Sequence, residues 1–567
     1  MRFIPRACVA MVVGAALGCS EAAYEAGAFE QASALPLLSA VQSGSTIELR
    51  AGVVQGTISG KTRTFIGIPY AAPPTGEHRW QPPAEVEPWS GVLDAVGPGV
   101  TCVQSTASAT PGAPQQNEAC LTLNVFAPEP AAEKPVPVLV WFHGGSNRTG
   151  SANDALGFGL PSLYDGERFR ATAARDVVVV TVNYRLGVFG FLAHPSLSAE
   201  HGASGNYGLM DQQAALRWVQ ANIAAFGGDA GNVTVFGESA GAIDVGYQLV
   251  AKGSEQLFQR AIMESGVFGT KLPTLSEWET QGVTLAEHKG CPGTDAAALS
   301  CLRGLDALSL LPDALPSEPG GAVFSSANPE VGRYWGANNT SSLGIVDGQL
   351  IVEQPIVSYR EGRYAQVPMI IGSNAREGSA FISGETAFED EAQLSAALVR
   401  TYGEQASRIT AQYPVSNYPT ANDAAIEIAG DSAFVCSAYA LARLTSRHND
   451  VFVYHWTRAA QILGLANLGA THAVELAWVW NWWTALLGGP AHEVALARRV
   501  VDHWTSLAER GNPNAEGENI WPSYDEQTDP ELVLDLDAHA QEGQRAARCK
   551  LWLEVRAALW GDAWQLD

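Results

Sequence analysis

The sequence VTVFGESAG, residues 233–241, is the segment from which the architecture of this chain can be inferred. Its first four residues are apolar or β-branched and indicate a buried strand. The remaining five fit G-x-S-x-G, in which a strand turns sharply into a helix and presents a serine, here Ser239, at the turn. Glycines flank the serine because larger side chains would collide across such a turn. The same pattern also occurs by chance around an inert serine, so the surrounding sequence has to be considered.

Other apolar runs extend the pattern of buried strands. Residues 136–142 and 177–182 are continuous, apolar and largely β-branched, as expected of strands that are buried on both faces. Residues 211–226 instead show helical spacing, with Leu216 and Val219 on one stripe. Strands that alternate with helices predict the α/β class, with a large central, mostly parallel sheet flanked by helices.

The first of these strands runs into the sequence HGGS, residues 143–146. In α/β-hydrolases a glycine-rich loop of this kind points backbone N–H groups into the active site, together with the N–H that follows the serine. We therefore expect Gly145, Ser146 and Ala240 to form an oxyanion hole that stabilises a tetrahedral intermediate. Because this loop matches the turn at Ser239, a nucleophilic serine is favoured over an inert one.

The overall charge excludes one class of partner. The 567 residues include 34 basic and 59 acidic side chains, a formal net charge of −25, and the basic residues form no cluster. Such a surface repels phosphate backbones and anionic membranes, so we expect no nucleic-acid binding. The acidity identifies no substrate, because solubility explains it equally well.

The amino terminus has the pattern of an export signal. Arg2 and Arg6 precede a short apolar run at 7–17, which is too short to span a bilayer. We expect residues 1–18 to be a signal peptide and the protein to be exported. The expected locations are the periplasm or cell envelope, with or without a lipid anchor, or the secreted state.

The residues after the signal leave two interpretations open. Small residues followed by Cys19 resemble a bacterial lipoprotein cleavage box, which predicts a lipidated cysteine and contact with a membrane through that anchor alone. Ordinary signal-peptidase cleavage nearby is the alternative. Residues 19–45 are rich in Ala, Ser and Gly and are interpreted as a flexible tether, so that 46–567 forms the catalytic domain.

Several longer segments resemble the type-B carboxylesterase/cholinesterase family of α/β-hydrolases, over the chain from about Gly52 onward. The segments that carry the resemblance are FIGIPYA (65–71), CLTLNV (120–125), NYRLG (183–187), GNYGLMDQ (205–212), FGGD (226–229), GESAG (237–241) and GNPN (511–514). Together with the export signal, they imply a bacterial exported member. The family's fold also implies cap and loop insertions that form a gorge above the sheet.

The resemblance implies the remaining catalytic residues. Composition cannot choose among eleven histidines, but GATHAVEL, which contains His472, is similar to the family's catalytic-histidine segment. VPMIIGSN, followed by Glu377, is similar to the segment that bears its catalytic acid. The order Ser239, Glu377, His472 is the one expected of this fold. Glu238 is similar to a family glutamate that shapes the electrostatics of the pocket, a supporting role.

The family and the motifs together predict a serine carboxylic-ester hydrolase that acts through an acyl-enzyme on small or medium neutral esters. Its partner is then a small-molecule ester, and no metal or organic cofactor is implied. Hydrolysis of amides or carbamates with the same triad is an alternative. A non-catalytic binding relative is a second alternative, which the intact triad and glycine loop disfavour. The oligomeric state cannot be inferred.

The cysteine count fits an oxidising compartment. Of eight cysteines, six remain if Cys8 leaves with the signal and Cys19 carries lipid, and an even number suits disulfides. Six cysteines allow fifteen pairings, among which parity cannot choose. The resemblance implies three of them: Cys102–Cys120, Cys291–Cys301 and Cys436–Cys549.

Departures from the family pattern bear on specificity. The Cys102–Cys120 loop contains no aromatic residue where cholinesterases place a cation-binding tryptophan, so choline esters are not expected as substrates. Ser146 replaces a glycine and would narrow the pocket. Asp244 stands where many relatives have serine, and three roles stay open for it: a hydrogen bond toward His472, competition as the catalytic acid, or simple exposure to solvent.

Four tryptophans form a cluster near the carboxyl-terminal part of the expected site. Packing in the core and lining of a substrate gorge are both compatible with the sequence. The residues are Trp478, Trp480, Trp482 and Trp483.

Overall fold

The computed structural model describes residues 42–565, except for 98, 105–114, 155–161, 268–270, 312–343, 383–386, 461–464, 487–488, 518–519 and 544. The predicted signal peptide, Cys19 and most of the predicted tether lie outside the described residues. The first strand begins at Thr46.

The predicted strands are present, although two of them differ in length from the apolar runs that predict them. The strands, numbered in chain order, are β1 (Thr46–Glu48), β2 (Val53–Gln55), β3 (Thr57–Ser59), β4 (Thr62–Pro69), β5 (Val92–Asp94), β6 (Thr122–Pro128), β7 (Val136–Phe142), β8 (Val178–Val182), β9 (Gly228–Glu238), β10 (Arg260–Glu264), β11 (Met369–Asn374), β12 (Val451–Trp456), β13 (Pro530–Leu534) and β14 (His539–Glu542). β9 begins at Gly228, earlier than the apolar run predicts, because Gly228 already pairs with Val136 of β7.

The main sheet has eleven strands in the order β14-β13-β12-β11-β10-β9-β7-β8-β6-β4-β3. Every neighbouring pair from β8 to β13 is parallel, whereas the strands at both edges pair antiparallel. A small second sheet has the order β1-β2-β5. The predicted large, mostly parallel α/β sheet is therefore confirmed.

Helices cover both faces of this sheet. The helices, numbered in chain order, are α1 (Gly166–Thr172), α2 (Gly187–Phe191), α3 (Pro195–His201), α4 (Tyr207–Asn222), α5 (Ala240–Val250), α6 (Leu275–His288), α7 (Ala296–Gly304), α8 (Ala307–Leu310), α9 (Pro355–Arg360), α10 (Glu391–Tyr402), α11 (Ala406–Gln412), α12 (Ala421–Gly430), α13 (Cys436–Thr445), α14 (Leu476–Val479), α15 (Trp482–Leu486), α16 (Ala491–Arg510) and α17 (Ala546–Trp560). The helix predicted at 211–226 is α4, which starts four residues earlier and is followed by a 3₁₀ turn at Ile223–Phe226.

The core has two layers because successive residues of a strand point to opposite faces. In β7, Val138 and Val140 belong to the layer that packs under α4 and α5, whereas Leu139 and Trp141 belong to the layer under α16. All four side chains are fully buried. The continuous apolar character of the strand therefore reflects burial on both faces.

One long apolar helix is a core element. The segment Ala421–Thr445 consists of α12, a π-helical turn at Asp431–Val435 and α13. Among the described residues it is the one helix long and apolar enough to cross a membrane, but 72% of its apolar window is buried inside the protein. Packing against α17, α9 and the strands β11 and β12 accounts for its hydropathy.

All three implied disulfides are formed, with Cα–Cα distances of 5.1 Å for Cys102–Cys120, 5.5 Å for Cys291–Cys301 and 4.9 Å for Cys436–Cys549. These distances lie in the usual range for a disulfide. The third bond joins α13 to α17 across 113 residues of sequence.

Candidate active site

Ser239 occupies a strained turn between β9 and α5. Its φ of 56° and ψ of −124° lie in a region that residues with a side chain rarely adopt, at a cost of roughly 1–3 kcal/mol. Its N–H donates to Glu264 O at 2.9 Å. A Cβ at Gly241 would lie 2.0 Å from Phe142 O, so only glycine allows the start of α5 to approach β7 this closely. The sharp turn predicted from G-x-S-x-G is present.

The sheet brings the predicted site residues to one edge. β7 ends at the HGGS loop, β9 at Ser239 and β11 shortly before Glu377, while His472 lies in the chain that follows β12. The carboxyl ends of parallel strands meet at the same edge of a sheet, where ligands bind in open α/β folds. The last two loops are also tied directly, because Asn374 Nδ2 donates to Thr471 O at 2.8 Å.

His472 and Glu377 form a direct hydrogen bond. His472 Nδ1 lies 2.6 Å from Glu377 Oε2, and the other carboxylate oxygen of Glu377 accepts the N–H of Asn374 at 2.6 Å. Glu377 is 1% exposed. A carboxylate partner at Nδ1 assigns the imidazole proton to that nitrogen, which leaves Nε2 as the atom that can accept a proton.

The second ring nitrogen of His472 faces Glu238. Nε2 lies 3.2 Å from Glu238 Oε1, although neither atom has a described partner in hydrogen-bond geometry. Burial raises the pKa of Glu238 to about 8. Burial also disfavours a charged imidazole, but the negative charges of Glu238 and Glu377 outweigh it and raise the pKa of His472 to about 9. The two side chains therefore compete for one proton.

Two further carboxyl groups lie deeper in the same cluster. Glu475 accepts a hydrogen bond from Ser265 Oγ at 3.1 Å, and burial raises its pKa to about 7. Glu264 accepts one from Trp504 Nε1 at 2.7 Å, and burial raises its pKa well above the usual range. Sequence reasoning gave neither residue a role: Glu475 lies in the quoted GATHAVEL segment without a signal of its own, and Glu264 lies more than 200 positions away from it.

The predicted oxyanion-hole residues lie around Ser239. Gly145 and Ser146 line the same cavity as Ser239, and Ala240 is the first residue of α5. No described residue accepts a hydrogen bond from the N–H groups of these three residues. The base of the loop is fixed by Tyr184, whose hydroxyl donates to His143 O at 2.6 Å. The three donors are therefore free for a ligand oxygen.

A cavity of about 1030 Å³ opens at this edge of the sheet, and Ser239 and His472 both line it. Its volume is at the upper end of the range for small-molecule sites. Among the described residues, no lysine or arginine lines it. The apolar part of its wall includes Leu163, Leu308, Phe381, Leu476 and Trp482, and its carboxyl groups are Glu118, Asp154, Glu238 and Asp306.

Two phenylalanines contact the imidazole of His472. The ring centroids lie 5.0 Å away for Phe381 and 4.6 Å away for Phe434. Phe434 belongs to the π-helical turn Asp431–Val435. A π turn inserts one residue into a helix and rotates the helical turns after it, so helical periodicity could not have placed Phe434 beside the histidine.

Two questions left open by the sequence are answered. Asp244 is fully buried and accepts hydrogen bonds from Asn147 and Gln212, so the solvent-exposed role is wrong, and it makes no described hydrogen bond to His472. All four clustered tryptophans pack in the core, and Trp482 also lines the cavity. Core packing therefore holds for the whole cluster, and lining of the cavity holds for Trp482.

Comparisons with known proteins agree with this geometry. The model of the carboxylesterase family matches residues 43–552. The chain is 33% identical over 515 residues to fumonisin B1 esterase of Sphingopyxis macrogoltabida, covering 87% of each chain, and 34% identical over 497 residues to para-nitrobenzyl esterase of Bacillus subtilis, covering 86% of this chain and 94% of the relative. It is 32% identical to acetylcholinesterase of Bungarus fasciatus over 545 residues, covering 90% of this chain and 85% of the relative.

A solved structure of PNB esterase superposes with a TM-score of 0.74 at 31% sequence identity, covering 90% of this chain and 99% of that one. The fold expected from the motifs is thereby confirmed as the α/β-hydrolase fold. The family model spans every strand that carries a site residue. This protein belongs to the type-B carboxylesterase/cholinesterase family and is a serine-dependent carboxylesterase.

Proposed function

We propose that this carboxylesterase acts through an acyl-enzyme on Ser239, with His472 as the general base and acid and Glu377 as the acid that orients it. The observation that carries the proposal is the 2.6 Å bond between His472 Nδ1 and Glu377 Oε2, made beside a cavity that Ser239 and His472 both line. A base that is itself oriented by a carboxylate is what a serine nucleophile requires.

In the proposed reaction, His472 Nε2 takes the hydroxyl proton of Ser239 as the oxygen attacks the ester carbonyl. The N–H groups of Gly145, Ser146 and Ala240 bind the oxyanion of the tetrahedral intermediate. The intermediate collapses as His472 returns the proton to the leaving alcohol. Water, activated by the same nitrogen, then hydrolyses the acyl-enzyme.

Glu238 has a supporting role in this scheme. Its carboxyl group faces His472 Nε2 at 3.2 Å, and burial raises its pKa. When the shared proton resides on Glu238, His472 is neutral and can accept the proton of Ser239. When the proton resides on His472, the base is blocked. Glu238 therefore sets the fraction of enzyme that is ready to react.

The proposed substrates are small or medium neutral esters. The volume of the cavity accommodates an ester of drug-like size, and the carboxyl groups in its described wall would repel an anionic acyl chain. The Cys102–Cys120 loop contains no aromatic residue to bind a quaternary ammonium group, which argues against choline esters. The named relatives act on different esters, so the proposal extends only to this class.

Turnover of p-nitrophenyl acetate and butyrate by the wild type and by Ser239→Ala tests the assignment. We expect hydrolysis by the wild type and a rate at background level for the variant. Ser196→Ala is a matched control, since it removes a buried serine hydroxyl on α3 that donates to Asp295 O. An inactive, folded wild type would refute the function, and an active Ser239→Ala would refute the nucleophile.

Export is proposed from residues 1–18, with lipidation of Cys19. The three disulfides support an oxidising compartment, because such bonds are rare in the cytosol. Globomycin blocks lipoprotein signal peptidase, so accumulation of an unprocessed precursor in its presence is the expected result. Processing that is unaffected would refute lipidation and leave export by ordinary cleavage.

A further inference from the structure

The oxyanion loop has three consecutive residues with positive φ. The values are 105° for Gly145, 58° for Ser146 and 55° for Asn147. A left-handed conformation is readily adopted by glycine, but it is disfavoured for serine and less so for asparagine. The loop would relax toward ordinary φ values if it were free, so contacts outside it have to hold the donors in place.

Asn147 is where the rest of the fold holds the loop. Its carbonyl oxygen accepts the N–H of Gly187 at 2.6 Å. Its side-chain Nδ2 donates to Asp244 Oδ1 at 2.8 Å, and the other oxygen of Asp244 accepts from Gln212 Nε2 at 2.6 Å. Asn147, Asp244 and Gln212 are all fully buried. Asp244 therefore bridges the loop to α4.

Both amide side chains direct their NH₂ groups at Asp244, so each of its two oxygens accepts one hydrogen bond. Gln212 Oε1 is engaged by Gln248 Nε2 at 3.0 Å, so Gln212 presents its NH₂ group to Asp244. The amide of Asn147 has no second anchor, because its Oδ1 has no described partner. Among the described residues, the carboxylate of Asp244 is therefore the one hydrogen-bond partner that orients the Asn147 side chain.

Asp244 also connects the two halves of the oxyanion hole. Two donors, Gly145 and Ser146, belong to the loop after β7, whereas the third, Ala240, begins α5. Asp244 is on α5, four residues after Ala240. A hydrogen bond from Asn147 to this residue therefore fixes the loop donors relative to the helix donor and to Ser239.

We propose that Asp244 is a positioning residue for ester hydrolysis, whose carboxylate holds Asn147 and thereby keeps the N–H groups of Gly145 and Ser146 directed at the oxyanion. The inference rests on the proposed function, in which those groups bind the developing charge.

Three variants test the proposal. Asp244→Asn turns an accepting oxygen into an amide that faces the donors of Asn147 and Gln212. Asn147→Gly keeps the positive φ accessible and removes the whole side chain, including the donor to Asp244. The double variant Asn147→Asp with Asp244→Asn reverses the polarity of the bond, since the new amide can donate to the new carboxylate and its oxygen can accept from Gln212.

We expect each single variant to lower kcat by roughly 10- to 100-fold with KM within about threefold of the wild type, because displacement of a catalytic group by about 1 Å can cost that much. The affinity for a trifluoromethyl ketone, which forms a tetrahedral oxyanion on the serine, should fall in the same proportion. The double variant should recover most of the loss in both measurements.

Asp347→Asn is the matched control, because Asp347 Oδ2 likewise accepts from a buried asparagine, Asn206, at 2.9 Å. It should lower the melting temperature while kcat and ketone affinity stay near wild type. Folded Asp244→Asn or Asn147→Gly with wild-type kcat would overturn the proposal, as would a folded double variant without recovery. An inactive wild type would instead overturn the proposed function, so the two failures are distinguishable.

Discussion

Replacement of Glu377 by glutamine tests how the candidate site uses charge. Glu377→Gln preserves size and leaves an oxygen that can accept from His472 Nδ1, but it removes the negative charge 2.6 Å from that atom. In the proposed mechanism His472 becomes positively charged only after it takes the proton of Ser239. The lost charge should therefore raise the barrier of the chemical step and leave the binding of the ester largely unchanged.

The size of the effect follows from the separation of the charges. The centre of the imidazolium and that of the carboxylate lie about 4 Å apart when such a bond forms, which corresponds to about 4 kcal/mol at an effective dielectric constant of about 20. Each 1.36 kcal/mol changes a rate tenfold, so kcat should fall by roughly a thousandfold. An exchanged tautomer of His472 would add to the loss.

Steady-state hydrolysis of p-nitrophenyl butyrate by Glu377→Gln measures this directly, with kcat and KM determined separately. Glu475→Gln is the matched control, because it neutralises another carboxyl group of the same buried cluster that makes no described hydrogen bond to His472. Its kcat should fall by no more than about tenfold. Equal losses in the two variants, or a loss confined to KM, would refute the assignment of Glu377 as the orienting acid.

Two other carboxyl groups, those of Glu238 and Glu264, predict how activity and stability depend on pH. Glu238→Gln removes one of the two adjacent negative charges that raise the pKa of His472 to about 9, so the acid limb of kcat/KM should move to lower pH by roughly one unit or more, and an unmoved limb would contradict this. Burial raises the pKa of the Glu264 carboxyl group in the folded protein above its value in the unfolded chain. The wild-type protein therefore loses stability as the pH rises from the unfolded-state pKa of this group toward its folded-state pKa. The melting temperature of Glu264→Gln should therefore rise relative to that of the wild type as the pH increases above about 5, and a difference that does not change with pH would contradict a raised pKa.

The sheet and the strained turn at Ser239 could be predicted from the sequence because they depend on local patterns. A strand buried on both faces has a continuous apolar run, as β7 and β8 have, and the turn at Ser239 requires glycine at fixed offsets. His472 and Glu377 could be assigned only through family resemblance, since an isolated histidine or glutamate carries no local signal. Even the early start of β9 depends on pairing with β7 and not on its own composition.

The residues that surround the proposed triad could not be predicted from local sequence patterns. Phe434 reaches His472 because a π turn shifts the helical register, which hydrophobic spacing does not reveal. The partners of Asp244 lie 97 and 32 positions away in the chain. Glu264 and Glu475 meet only once the sheet has formed. Contacts of this range depend on packing, and a single sequence contains no direct record of them.

The burial of this carboxyl cluster is what allows a histidine beside it to act as a base. If all of its members were ionised, His472 would hold its proton too tightly to take one from Ser239. Burial raises the pKa of Glu238 to about 8 and that of Glu475 to about 7, so each is less readily ionised than an exposed carboxyl group and its field at the imidazole is weakened. Among the described residues, Glu377 is the partner that hydrogen-bonds to Nδ1. It contacts the imidazole directly where the imidazolium forms, and for that reason its replacement, more than that of its buried neighbours, should remove most of the rate.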